Sequence, residues 1–254
     1  MSFIGVGIKP ANIRKIEDSK PSDNTEVPLR KKSHISLAKY IVDHSHNKGL
    51  KKHRYAFYIG SILPDIKPSF FYRKHEFTGT FPPIQRMIHK LSEGNTQSGK
   101  CFKRRGTTAG VHYYLKLGQV SHYLADYFTF PHNRIYKGGL REHNRYERDL
   151  KHGLKKYLRS KKGKKDAAKR LRKMKTERHE ASRMPEQIIS FIQIKHDAYL
   201  DTKLHTKSDK HHIKSDIHHI VEVNQRAIEA ILSFMHNHIP THSDTSSASA
   251  DSSN

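Results

Sequence analysis

The sequence predicts an all-α protein, on three observations. Apolar residues in the long segments recur at separations of three and four, which places them on one face of a helix. Gly, Pro and Asn punctuate those segments where helices would start and stop. Alternation of apolar and polar residues, the mark of a half-buried strand, is absent. Taken in order, Ser33 or a neighbour caps a first helix carrying Ile35, Ala38, Ile41 and Val42, which stops near Asn47-Lys48-Gly49. A short second helix runs from about Tyr55 to Leu63 and stops at Pro64; a third follows Pro82-Pro83 and ends at Gly94. The fourth spans about Thr107 to Phe128, ahead of Pro131, and the fifth about Leu140 to Leu158. Two amphipathic helices close the domain. One carries Ile188, Ile192, Tyr199 and Leu200, the other Ile213, Ile217, Ile220, Val221, Ile228, Ile231 and Met235.

Composition narrows what such a bundle can be. The chain has 254 residues, with 48 Lys and Arg against 24 Asp and Glu, for a formal charge of +24. Leu, Ile, Val and Phe number 56, or 22%. That is barely above the level of about 20% at which a highly charged chain is expected to stay unfolded. A core therefore needs help beyond apolar burial. Residues 1–30 read as a poorly ordered extension, 31–239 as one all-α domain, and 240–254 as a disordered Ser/Thr/Asp tail. The single cysteine, Cys101, excludes an intramolecular disulfide framework and suits a reducing compartment. Neither a signal peptide nor a membrane span is legible, so a cytoplasmic location is expected.

The 21 histidines are the informative excess. In the fifth helix the stripe Leu140, Leu150, Leu154, Leu158 has its gaps filled by His143 and Glu147. In the fourth, Val111, Leu115 and Gly118 lead to His122 and Asp126, and in the first His34 shares the face of Ala38 and Ile41. Imidazoles and carboxylates on core-facing stripes are costly unless something offsets their polarity. A metal ion does so while crosslinking helices. Both His122/Asp126 and His143/Glu147 are i, i+4 pairs, and two such pairs on consecutive helices favour metal over a satisfied core pair. His132 lies in the turn between those helices, with Asp65 and His75 after the second helix. This N/O donor set favours zinc. Two to three ions per chain are expected in a cleft between helices, because eight candidate ligands exceed one tetrahedral site.

The segments SHISLAKYI (33–41), YIGSILPD (58–65), KHEFTGTF (74–81), GQVSHYLADYFTFPH (118–132) and EHNRYE (142–147) resemble the bacterial zinc-dependent phospholipase C family. The most specific part is the run His122, Asp126, His132, followed by His143 and Glu147. The resemblance implies an all-helical fold with three zinc ions. Asp65, His75, His122 and Asp126 would hold one, and His132, His143 and Glu147 a second. Asp126 would also bridge to a third, together with His34. Secreted members complete that third site with an amino-terminal Trp. This chain has no Trp, which leaves its completion open.

The expected activity is phosphodiester hydrolysis by metal-activated water on a phospholipid, with Asp126 bridging and Asp65 orienting or deprotonating the water. No Ser or Cys elbow motif offers a side-chain nucleophile. Two rival readings stand beside it. A zinc-dependent single-strand nuclease or nucleotidase would use Tyr55, Phe57, Tyr58, Phe70, Phe71 or Tyr72 to stack bases. A non-catalytic, metal-stabilised module would bind anionic membrane or RNA. Residues 151–175 hold 13 Lys and Arg against one acid, Asp166, and would face solvent or an anionic bilayer.

Overall fold

The computed structural model describes residues 28–66, 76–93, 106–177, 184–206 and 208–234. Every regular element among them is helical: α1 (Pro28–His44), α2 (Lys48–Lys52), α3 (Arg54–Gly60), α4 (Phe77–Glu93), α5 (Gly106–Tyr127), a 3₁₀ turn (Phe130–His132), α6 (Leu140–Arg159), α7 (Lys161–Glu177), α8 (Pro185–Leu204) and α9 (Asp209–Phe234). The extension and tail expected at 1–30 and 240–254 lie outside the described residues, apart from the first turn of α1, which begins at Pro28.

The core is organised around α9. Ile220, Val221, Val223, Ala227, Ile228, Ile231 and Leu232 are all buried, so its C-terminal half is covered on nearly every side. Its polar residues are satisfied from neighbouring helices: Ser121 donates to Asn224 at 2.8 Å, and Arg170 of α7 donates to Gln225 at 2.7 Å.

Four sequence expectations change. Ser33 does not cap the first helix, because α1 begins at Pro28; α1 ends at His44, and the Asn47 side chain then accepts from the Leu50 amide and caps α2. Pro82 and Pro83 lie inside α4, which begins at Phe77. The turn ahead of them is held from outside: Phe77 stacks on His196 with ring centroids 3.8 Å apart, and Thr80 hydrogen bonds to the Tyr127 hydroxyl. The basic segment 151–175 is two helices. They meet at Ser160, whose hydroxyl accepts from the Gly163 amide. Finally, Leu140 is 77% exposed and Val111 43% exposed, so neither belongs to the stripe that the spacing assigned it to. On α5 the buried face is carried by Tyr113, Tyr114, Leu117, Val120 and Leu124.

The packing that matters most for function is between α3 and α5. A Cβ built on Gly60 would overlap the Leu115 carbonyl oxygen, and one on Gly118 the Phe57 carbonyl oxygen. Two glycines let the backbones touch. The turn after α3, Ser61 to Ile66, is thereby brought to the level of His122.

Candidate metal centre

Five segments meet at one end of α5. From α1 comes His34, from the turn after α3 Asp65, from α5 His122 and Asp126, from the 3₁₀ turn His132, and from α6 His143 and Glu147. Seven of the eight residues singled out from sequence therefore meet; His75 lies outside the described residues. They form two sets. Donor atoms of His34, Asp65 and His122 lie within 4.8 Å of one another, and so do those of His132, His143 and Glu147.

Asp126 stands between the sets. Its Oδ1 is 3.5 Å from His34 Nε2 and 3.6 Å from His132 Nδ1, while Oδ2 is 3.2 Å from His122 Nε2. Asp65 faces the same imidazoles, at 3.6 Å from His122 and 4.0 Å from His34. Glu147 Oε1 lies 3.0 Å from His132 Nε2 and 2.7 Å from His143 Nε2. The i, i+4 spacings do what they promise on each helix, and the tertiary fold brings the two pairs face to face.

The donor set fits a metal. His122 Nδ1 donates to the Ser61 carbonyl at 2.9 Å, which leaves Nε2 as the lone pair aimed at the carboxylates. A histidine held through its other nitrogen by a backbone carbonyl is the usual arrangement around a coordinated ion. Burial pushes His34 down to about 3, reinforced by His122 and opposed by Asp126, so its imidazole is neutral and able to donate. His122 shifts the other way. Burial works against its charged form, but Asp126 and Asp65 prevail and raise it. The carboxylates thus draw positive charge into a buried position.

Sequence reasoning missed the support beneath this centre. Asp216, fully buried on α9, accepts from the Phe130 amide at 2.9 Å, from the Tyr146 hydroxyl at 2.8 Å and from the Tyr199 hydroxyl at 2.9 Å, and it pairs with the buried Lys203. Phe130 opens the turn that carries His132, and Tyr146 precedes Glu147. One carboxylate therefore ties down both segments that supply the second ligand set. Burial pushes Asp216 up and Lys203 down, and each resists that shift in the other. The signal was available: Asp216 lies three residues after Ile213 and four before Ile220, on the same apolar stripe. Of the aromatics considered for base stacking, Phe57 is fully buried in the core, Tyr55 is exposed, and Phe70, Phe71 and Tyr72 lie outside the described residues.

A family model for zinc-dependent phospholipase C matches residues 33–223, which contain every ligand candidate. The chain belongs to the zinc-dependent phospholipase C family. It is accordingly a zinc-dependent phospholipase C-like hydrolase, and its clustered His, Asp and Glu side chains are compatible with the metal that the family requires. No curated protein and no solved structure gives a match. No described helix is long and apolar enough to cross a membrane.

Proposed function

We propose that this phospholipase C-like protein hydrolyses phospholipids on the glycerol side of the phosphate. In this reading two to three zinc ions are held by His34, Asp65, His75, His122, Asp126, His132, His143 and Glu147. The observation that carries it is the position of Asp126, one carboxylate within 3.6 Å of histidines from both ligand sets. A shared carboxylate is what holds neighbouring cations close enough to act on one phosphate.

Zinc bound there supplies Lewis acidity to the phosphoryl oxygens and acidifies the attacking water. The chain's own residues do the rest. Asp65, on the turn after α3, orients that water and takes its proton. Asp126 balances the positive charge at the middle of the centre. Ser61, through its carbonyl, fixes the ring of His122, and Asp216 holds His132 and Glu147 at their spacing. Outside the cleft, α7 presents Lys161, Lys162, Lys164 and Lys165 to solvent. Each Lys near an anionic bilayer contributes about 1 kcal/mol, so this helix would bring the cleft to the membrane.

The deciding experiment incubates the zinc-loaded protein with phosphatidylcholine vesicles, a single-stranded oligonucleotide and a chromogenic phosphodiester. Release of diacylglycerol supports the reading. Cleavage of the oligonucleotide alone replaces it with a nuclease, and inertness toward all three leaves a non-catalytic metal-stabilised module.

A further inference from the structure

Alongside the metal centre, α1 and α6 flank a half-open cavity of about 360 Å³. Its polar lining is Lys32, Ser33 and Ser36 from α1 and Lys151, Lys155 and Arg159 from α6, with Ile35 and Leu154 as its apolar lining. That volume is at the lower end of the range for small-molecule sites. Four cations and two hydroxyls line it, and no carboxylate is among the lining residues.

Lys151, Lys155 and Arg159 repeat at intervals of four along one face of α6, with Lys32 across the cavity. On α7 Lys161, Lys165, Lys169 and Lys173 also recur at intervals of four, whereas other lysines are matched by an acid four residues on, as in Lys39–Asp43 and Lys162–Asp166. Like charges at that spacing destabilise a helix. A convergent set of cations and hydroxyls is the chemistry that recognises a phosphate dianion.

Placement gives the site a role. Lys151 is one turn past Glu147, about 6 Å along the helix axis, and Ser33 adjoins His34 in sequence. The same two helices carry the metal centre and the cationic cavity side by side.

We propose that the cavity binds a phosphate monoester, and that this monoester is a second phosphate on the head group of the lipid cleaved at the metal centre. The inference rests on the phospholipase reading for its second half only. The substrate class it names is a phospholipid with a phosphorylated polyol head group. The phosphate at the scissile bond sits at the metal centre while the outer phosphate engages Lys151 and Lys155.

The test has a binding arm and a turnover arm. In the first, inositol 1,4-bisphosphate and inorganic phosphate are titrated calorimetrically into the full chain. Wild type is compared with Lys151→Gln/Lys155→Gln and with Lys161→Gln/Lys165→Gln on the exposed α7. The expected result is bisphosphate binding that weakens about tenfold or more in the first variant, is kept in the second, and exceeds the affinity for inorganic phosphate. In the second arm, vesicles with and without phosphatidylinositol 4-phosphate are compared. Wild type should favour the phosphorylated lipid about tenfold in kcat/KM. The Lys151/Lys155 variant should lose that preference while it hydrolyses a chromogenic phosphodiester normally. Equal binding by wild type and both variants overturns the site. Equal affinity for inorganic phosphate and bisphosphate overturns the head-group assignment. A loss of oligonucleotide binding without any bisphosphate binding overturns it in favour of nucleic acid. Lysine-dependent bisphosphate binding with no hydrolysis of any diester supports the site while the phospholipase reading falls.

Discussion

Two buried carboxylate clusters lie close together in this protein, and they are compensated in opposite ways. Around Asp216 the chain supplies its own positive charge and donors: the Lys203 ammonium, two tyrosine hydroxyls and the Phe130 amide. Around Asp65, Asp126 and Glu147 the described partners are imidazoles, His34, His122, His132 and His143. A lysine carries its charge into the fold, whereas a buried neutral imidazole offers a lone pair. The first cluster is complete as folded. The second has the composition of a ligand set. The comparison separates a structural carboxylate from a functional one by the chemistry of its neighbours, where burial alone does not.

Removing the cation should have the largest effect. Chelation is expected to strip two to three zinc ions, abolish hydrolysis and lower the thermal midpoint. Zinc at a thousandfold excess over its Kd stabilises the native state by about 4 kcal/mol, which for a domain of this size is roughly 8–16 °C. Elemental analysis and calorimetry before and after chelation check this. An unchanged midpoint together with a near-zero metal content in the untreated protein would collapse the contrast between the clusters.

Asp126→Asn should then reproduce the chelated state from within. The amide keeps the shape and loses the charge. Hydrolysis should fall by about a thousandfold or more, or ~4 kcal/mol in barrier, while the chelated forms of variant and wild type unfold alike in urea. Asp216→Asn should behave differently, destabilising the chelated protein itself by about 3–5 kcal/mol, because it leaves Lys203 charged and buried. Asp216→Asn/Lys203→Met should recover much of that loss. If Asp216→Asn harms only the zinc-loaded form, the two clusters are not distinct in kind.

A smaller effect tests the neighbouring pH response. His196 is buried among Phe77, Tyr127 and Phe128 and meets the Asn133 side chain at 3.0 Å. Burial lowers it to about 4 from an ordinary 6.5. The unfolded chain therefore binds its proton first, and the stability present above pH 6.5 is lost as pH falls toward 4. The full shift corresponds to about 3 kcal/mol. Urea titrations of the chelated protein at pH 7 and pH 4 should show a smaller pH-dependent loss in His196→Gln than in wild type. Equal losses would assign the acid sensitivity to other groups.

The smallest change concerns the glycine contact that sets Asp65 in place. Gly118→Ala should cost about 1–3 kcal/mol by overpacking α3 against α5 and should weaken zinc binding, read as a lower metal content after dialysis. His152→Ala serves as the contrast. That residue is exposed on the same helix as His143, with Nδ1 at the Arg148 carbonyl, and its loss should leave both metal and activity unchanged.

Sequence alone determined the helical class and the two pairs of ligand candidates His122/Asp126 and His143/Glu147, because both depend on spacing within single helices. Asp65 and His132 lie in turns and joined them through the family resemblance. A pair at i, i+4 shares a face wherever its helix ends up, so His122/Asp126 and His143/Glu147 were legible before any fold existed. Apolar periodicity marked α9 for the same reason. Pairing between helices was decided only by tertiary structure. Leu140 and Val111 fit their stripes by count but fell outside the contact surfaces. The prolines of α4 were absorbed because Phe77 and Thr80 are held by α8 and α5. Gly60 and Gly118 bring backbones together across 58 residues of sequence, and Asp216 reaches back 86 residues to the turn bearing His132. Such contacts depend on which surfaces exclude water against each other, a property of the packed chain that no local period records.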